Sequence, residues 1–111
     1  MIVAYVQTFM AKDVVLALHQ IPGVTGASFT DARGFGGERP PDASVPEVIY
    51  GTAEKTRVEV VVRDSLEDQV VNAIRLAART GARGDGKIFV LDVSRAMKVN
   101  SGATETGDEA P

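Results

Sequence analysis

Between Thr80 and Lys87 the chain gathers three glycines (Gly81, Gly84 and Gly86), one acid (Asp85) and two cations (Arg83 and Lys87), with the apolar run Ile88-Phe89-Val90 directly behind them. Glycines let a backbone turn tightly and come close to a ligand. Successive N–H groups in such a turn form an anion-binding concavity. Arg83 and Lys87 add positive charge where a phosphate would sit. The chemistry this spacing suggests is a phosphate cradle; the plain alternative is an ordinary turn from helix to strand. Other polar residues read more simply. His19 is the only histidine; it lies off any apolar stripe and reads as solvent-facing. Asp13, Asp64, Glu67 and Asp68 read as helix-start and surface charges, not metal ligands. Arg75 and Arg79 read as a solvated helix face. The chain has no cysteine, which excludes disulfides, thiolate chemistry and zinc–thiolate sites.

The elements that must position this turn fit into one domain. The chain has 111 residues, 44% hydrophobic and 24% charged, with a net charge of -3. That length suits one core and not two, and the charge argues against general nucleic-acid binding. No apolar run approaches the ~20 residues of a membrane span, so direct membrane insertion is not expected. Met1–Val6 lacks the marks of a signal peptide, and a cytoplasmic location is the default expectation.

Ile2–Thr8 reads as a strand, and Ala11–Gln20 as a helix with Val14, Val15, Leu18 and Ile21 on its apolar stripe. Pro22 and Gly23 end it. Val24–Arg33 reads as a second strand and Arg57–Arg63 as a third, its valines fitting a central, buried position. Ser65 reads as an N-cap with Asp68 three residues on. The helix it opens runs to about Arg79 on a stripe of Leu66, Val70, Ile74 and Ala77, with Gly81 at C′. Lys87–Asp92 makes a fourth strand, and Met97–Asn100 a short fifth. This order is the ferredoxin-like βαββαβ arrangement, an α+β fold with an antiparallel sheet and two helices on one face. Val58, Val60, Val61 and Val62 cannot all face the helices; an apolar second face, covered by further copies of the chain, is therefore expected. Gly34–Ala53, with four glycines and three prolines, is a long connection of the kind that is often functional. Ser101–Pro111 reads as a flexible polar tail.

The chain resembles the PII signal-transduction family. Thr80-Gly-Ala-Arg-Gly-Asp-Gly-Lys-Ile-Phe-Val90 is similar to the family's B-loop signature (here residues 81–87) without a departure. Gly23-Val-Thr-Gly26 resembles its second-strand turn. Arg33-Gly-Phe-Gly36 resembles the start of its long T-loop (here 34–53), and Arg57-Val-Glu-Val-Val-Val62 the strand that follows. The resemblance implies a ferredoxin-like domain over residues 1–100 that forms homotrimers. It implies a regulator, not an enzyme, that binds ATP, ADP or AMP in clefts between subunits and engages a membrane transporter or metabolic enzyme through the T-loop. Nucleotide contacts are implied at Gly84, Asp85, Gly86 and Lys87, with Arg83 beside them, and at Gly34, Phe35 and Gly36 where the T-loop begins. Ser28 stands where the family has an adenine-recognising threonine. Val6 and Val61 would line the base pocket. Asp85 is expected to cap the loop, since a carboxylate beside phosphate would repel it.

Departures from the family shape the rest of the expectation. Where two family arginines clamp the phosphates from a neighbouring subunit, this chain has Lys98 and Asn100. Lys98 keeps charge without the planar fork, and Asn100 keeps neither; Lys98 reads equally as a solvated strand-end lysine. A weaker preference for ATP follows, with AMP or ADP bound as well or better. The T-loop glutamine that helps hold 2-oxoglutarate is absent. These departures suggest a member outside the nitrogen-control branch, with bicarbonate as a small anion at Gly37, Arg39 and Lys55, in inorganic-carbon metabolism or a carboxysome. Regulation of nitrogen use, of a cation efflux system, or a structural trimer of the copper-tolerance type are the alternatives. Tyr50 lacks the flanks of the family's modified tyrosine.

Overall fold

The computed structural model describes residues 1–34 and 53–105. Strand β1 (Ile2–Gln7) leads through a single 3-10 turn into helix α1 (Ala11–His19). Strands β2 (Ser28–Gly34) and β3 (Ala53–Val60) follow, then helix α2 (Glu67–Ala78), strand β4 (Gly86–Val90) and a small hairpin of β5 (Ala96–Met97) with β6 (Thr104–Glu105). The four long strands form one antiparallel sheet in the order β2-β3-β1-β4, the ferredoxin-like α+β arrangement. The chain's alternation explains which face is covered. Ile2, Ala4 and Val6 of β1 and Val58 and Val60 of β3 are each at most 2% exposed. They meet Val14 and Leu18 of α1 and Val70, Ile74 and Ala78 of α2 in one core. Both helices thus lie on the same side of the sheet.

Several boundaries differ from the sequence reading. Strand β2 begins at Ser28, because Val24 is held in a turn by its N–H to the Ile21 carbonyl at 3.2 Å. Strand β3 begins and ends earlier than Arg57–Arg63. The run Val60-Val-Val62 is continuous in hydrophobicity, but only Val60 belongs to the ladder. Helix α2 has Leu66 at its N-cap with no side-chain cap, after a 3-10 turn over Asp64–Leu66. The Ser65 capping box is therefore not formed. Its stripe runs Val70, Ile74, Ala78, with Ala77 only partly buried. Arg79 is the C-cap in extended backbone, which moves Gly81 one residue beyond C′. Residues 101–105 also differ from a simple tail, since Thr104 pairs with Met97 and Glu105 with Ala96.

The second face of the sheet overturns the apolar expectation. Strand register places Val3, Tyr5 and Gln7 of β1 there. Beside them stand Lys55, Arg57 and Glu59 of β3, Ser28 and Thr30 of β2, and Lys87 and Phe89 of β4. Arg57 and Glu59 form an ion pair at 2.7 Å. The valines that argued for an apolar second face either point at the helices or have left the sheet. Exposed apolar side chains include Phe89 at the edge of that face, Leu91, Val93, Met97 and Val99 beyond β4, and Phe9, Leu16 and Leu76 elsewhere.

Ile74 is fully buried where α2 crosses the sheet. Ile74→Ala should lower unfolding free energy by about 2–5 kcal/mol, the transfer and cavity cost of such a truncation. Urea denaturation measures this, and a loss below about 1 kcal/mol would contradict the core assignment.

Candidate functional site

Strand β1 is the central organiser of the site because it pairs on both sides. Its Val6 lies opposite Gly86 of β4, and its Gln7 opposite Lys55 of β3. The end of the sheet therefore delivers one side chain from each inner strand to the glycine-rich loop. Asp85 receives the first, Gln7. Its carboxylate accepts from the Thr80 N–H at 2.8 Å, the Gly81 N–H at 2.9 Å and the Gln7 amide at 3.0 Å. The Thr80 hydroxyl also donates to it, and in turn accepts from the Ala82 N–H at 3.2 Å. These donors favour the ionised form. The Thr80 hydroxyl contributes most, and together with the backbone N–H groups and the Lys55 charge it holds the Asp85 pKa below its usual 3.8.

The loop is also held from β3. The Lys55 ammonium donates to the Gly84 carbonyl at 2.5 Å. Gly84 has φ of 83° and Gly86 φ of 117°, both in the region that L side chains avoid. At Gly86 the reason is steric as well, since a Cβ there would stand 1.7 Å from the Tyr5 carbonyl oxygen. The loop thus cannot take its path with any other residue at 86. Clefts flank it on both sides. One of about 510 Å³ is lined by Gln7, Thr8, Lys55, Arg83 and Gly84. Another of about 330 Å³ runs along the β4 edge past Gly86 and Lys87. Lys87 stands beside Tyr5 on the second sheet face, its ammonium 6.0 Å from the Phe89 ring centre. The arrangement is a hydrogen-bonded backbone turn with Lys55, Arg83 and Lys87 around it; the Asp85 carboxylate is already supplied with donors, and Glu54, which lines the larger cleft, pairs with Arg33.

The expected site residues fall into two groups. Arg83, Gly84, Asp85, Gly86, Lys87, Lys55 and Val6 lie together at this end, although Val6 is only 2% exposed on the helix side of β1. Gly34 closes β2 opposite Ala53, so the two feet of the 34–53 connection are paired neighbours. Phe35, Gly36, Gly37 and Arg39 lie outside the described residues, as do Tyr50 and most of that connection. The second group is at the other end of the sheet. Ser28 opens β2 opposite Glu59, and Val61 follows β3 in a cleft with Met1, Val90 and the hairpin residue Ala96. Lys98 and Asn100 sit in the hairpin turn, where the Gly102 N–H donates to the Lys98 carbonyl at 2.8 Å. Five residues of β1 separate the two ends, a span of about 17 Å. Within one chain, Val6 and Val61 therefore do not share a pocket. Lys98 is also not free, because its ammonium lies 3.5 Å from the Glu105 carboxylate.

Sequence reasoning missed Gln7 and Thr80 as partners of Asp85, and Lys55 as a clamp on Gly84. Thr80 carried a signal, since a hydroxyl at the start of a turn commonly binds backbone nearby. Gln7 and Lys55 carried none, because only strand register brings them to the loop.

The family model described as nitrogen regulatory protein P-II matches residues 1–103. The nitrogen regulatory protein P-II of Azospirillum brasilense is 36% identical over 109 residues, covering 96% of this chain and 95% of its own length. The protein of the same name from Pasteurella multocida is 37% identical over 101 residues, covering 89% of each chain. Nitrogen regulatory protein P-II 1 of Escherichia coli strain K12 is 36% identical over the same coverage.

Because the folded pKa of Asp85 is depressed, its stabilisation of the loop is complete above the ordinary carboxylate range. It is lost as pH falls through the lowered value. The amide shifts of Thr80 and Gly81 should therefore titrate together with an apparent pKa below 3.8. In Asp85→Asn this acid step should vanish. A titration at or above 3.8 would contradict the network.

Proposed function

The chain belongs to the nitrogen regulatory protein P-II family, whose members are regulatory and non-catalytic signal transducers, and from that premise we propose that it senses adenine nucleotides at the glycine-rich loop. The observation that carries this reading is the set of hydrogen bonds holding that loop: Asp85 to Thr80, Gly81 and Gln7, and Lys55 to Gly84. A loop fixed before its ligand arrives loses little entropy on binding. Gly84, Gly86, Lys87 and Arg83 are the phosphate contacts in this reading, and Gly34, Phe35 and Gly36 contribute from the start of the 34–53 connection.

The split of the site supports a homotrimer. Ser28, Val61, Lys98 and Asn100 lie at the far end of the sheet, so they reach a nucleotide at the loop only from a neighbouring copy. The exposed Phe89, Leu91, Val93, Met97 and Val99 supply apolar surface for that contact. Lys98 spends part of its charge on Glu105, and Asn100 is neutral. Both weaken the hold on a third phosphate, which favours ADP or AMP over ATP. The paired feet of the 34–53 connection place its base beside Lys55. Occupancy is read there by a partner, a membrane transporter or a metabolic enzyme. Lys55, with Gly37 and Arg39, offers a small anion such as bicarbonate a place next to the nucleotide and ties the protein to inorganic-carbon metabolism. The names of the relatives favour a second reading, regulation of nitrogen use.

Calorimetry with AMP, ADP and ATP tests the first claim. The two smaller nucleotides should bind at least as tightly as ATP, and Lys87→Ala should weaken ADP by about 1.5–3 kcal/mol, the scale of a charge-assisted hydrogen bond, with the oligomer intact. Unchanged affinity in that variant would remove the loop from the site. Bicarbonate should change the ADP dissociation constant; an identical constant with and without it would rule out coupling.

A further inference from the structure

Beside the loop, the cleft of about 330 Å³ passes round the edge strand β4 and reaches helix α2. Arg75 and Arg79 line it together with Gly86, Asp85 and Lys87, the Lys87 side chain itself lying on the second sheet face. The two arginines are one helical turn apart, so their side chains leave α2 on one face. Among the described residues neither takes part in an ion pair; the pairs there involve Arg33, Arg57 and Lys98. Asp85 is the one acid lining the cleft, and its oxygens already accept from Thr80, Gly81 and Gln7. Like charges gathered in a cleft without a counter-ion repel one another. Both arginines are exposed beside this cleft, with Ile88 on the strand next to them.

We propose that Arg75 and Arg79 hold the phosphates of the nucleotide bound at Gly86 and Lys87, so that α2 of the same chain supplies the cationic clamp that Lys98 and Asn100 provide only weakly. This rests on the nucleotide reading given above. Guanidinium forks suit phosphate because two parallel N–H groups meet two oxygens, and Gly86 and Lys87 are common to the loop and to this cleft. Arginines in the last turn of a helix also offset its partial negative charge. That role alone would leave ligand affinity untouched, which separates the two explanations.

The test uses the full chain, with Arg75→Gln, Arg79→Gln, the double variant and Arg79→Lys, each titrated with ADP and AMP at two salt concentrations and melted without ligand. Each glutamine variant should weaken ADP roughly tenfold, AMP by less, and reduce the salt dependence of binding. Arg79→Lys should recover part of the loss. A double variant that binds ADP within about twofold of the wild type would overturn the clamp while leaving the nucleotide site standing. Loss of melting temperature alone would assign the arginines to the helix end. A wild-type chain that takes up no ADP would overturn both readings, and the wild-type titration shows that case directly.

Discussion

Everything at the B-loop end depends on where the Asp85 carboxylate places its charge. A carboxylate in the middle of an anion site would ordinarily defeat it. Here the oxygens face inward, to the Thr80 hydroxyl, two backbone N–H groups and the Gln7 amide. The charge is spent on fixing the turn. The same contacts lower the Asp85 pKa, so the anchor persists further into acid than an ordinary aspartate would allow. Lys55 then fastens Gly84 from the opposite side, and the Tyr5 carbonyl leaves no room for a side chain at Gly86. Three adjoining strands therefore fix a backbone path that the loop's glycines alone would leave open.

The sheet that fixes the loop also makes a single chain incomplete. Its strands run in straight register from the loop end to the hairpin end, and residues suited to the base and to the outer phosphates lie at the latter. Within one chain Ser28 stands three residues along and three strands across the sheet from Gly86, about 17 Å away. In the proposed reading a second copy supplies Ser28 and Asn100, which would make oligomerisation a condition of nucleotide binding. Exposed apolar side chains line the end of β4 and the segment after it. The centre of the second sheet face is instead taken up by Arg57, Glu59 and Lys87, with Tyr5 between cations at its middle.

Much of this was legible in the chain. The alternation of Ile2, Ala4 and Val6 and the helical spacing of Val70 and Ile74 placed the core, and the element order gave the ferredoxin-like arrangement. The run from Thr80 to Val90 marked the loop, including the capping role of Asp85. What was not legible followed from register. Val60-Val-Val62 looks like one buried strand, but strand pairing stops at Val60, and hydrophobicity does not report where a ladder ends. The wrong ground for self-association came from that run. Gln7 and Lys55 are distant in sequence from Gly84, and their role is visible only once β1 is seen between β3 and β4. Arg75 and Arg79 are exposed, as their sequence pattern indicates; only the fold shows that they border the cleft at Gly86.

The central claim is that the Asp85-held loop cradles a nucleotide's phosphates and a neighbouring copy closes the site. A crystal structure grown with saturating ADP tests it most directly. The account predicts diphosphate density against the backbone of Gly84, Gly86 and Lys87, with the base reaching Ser28 of an adjacent copy. Density confined to another surface, or empty loops at saturating ADP, would contradict it.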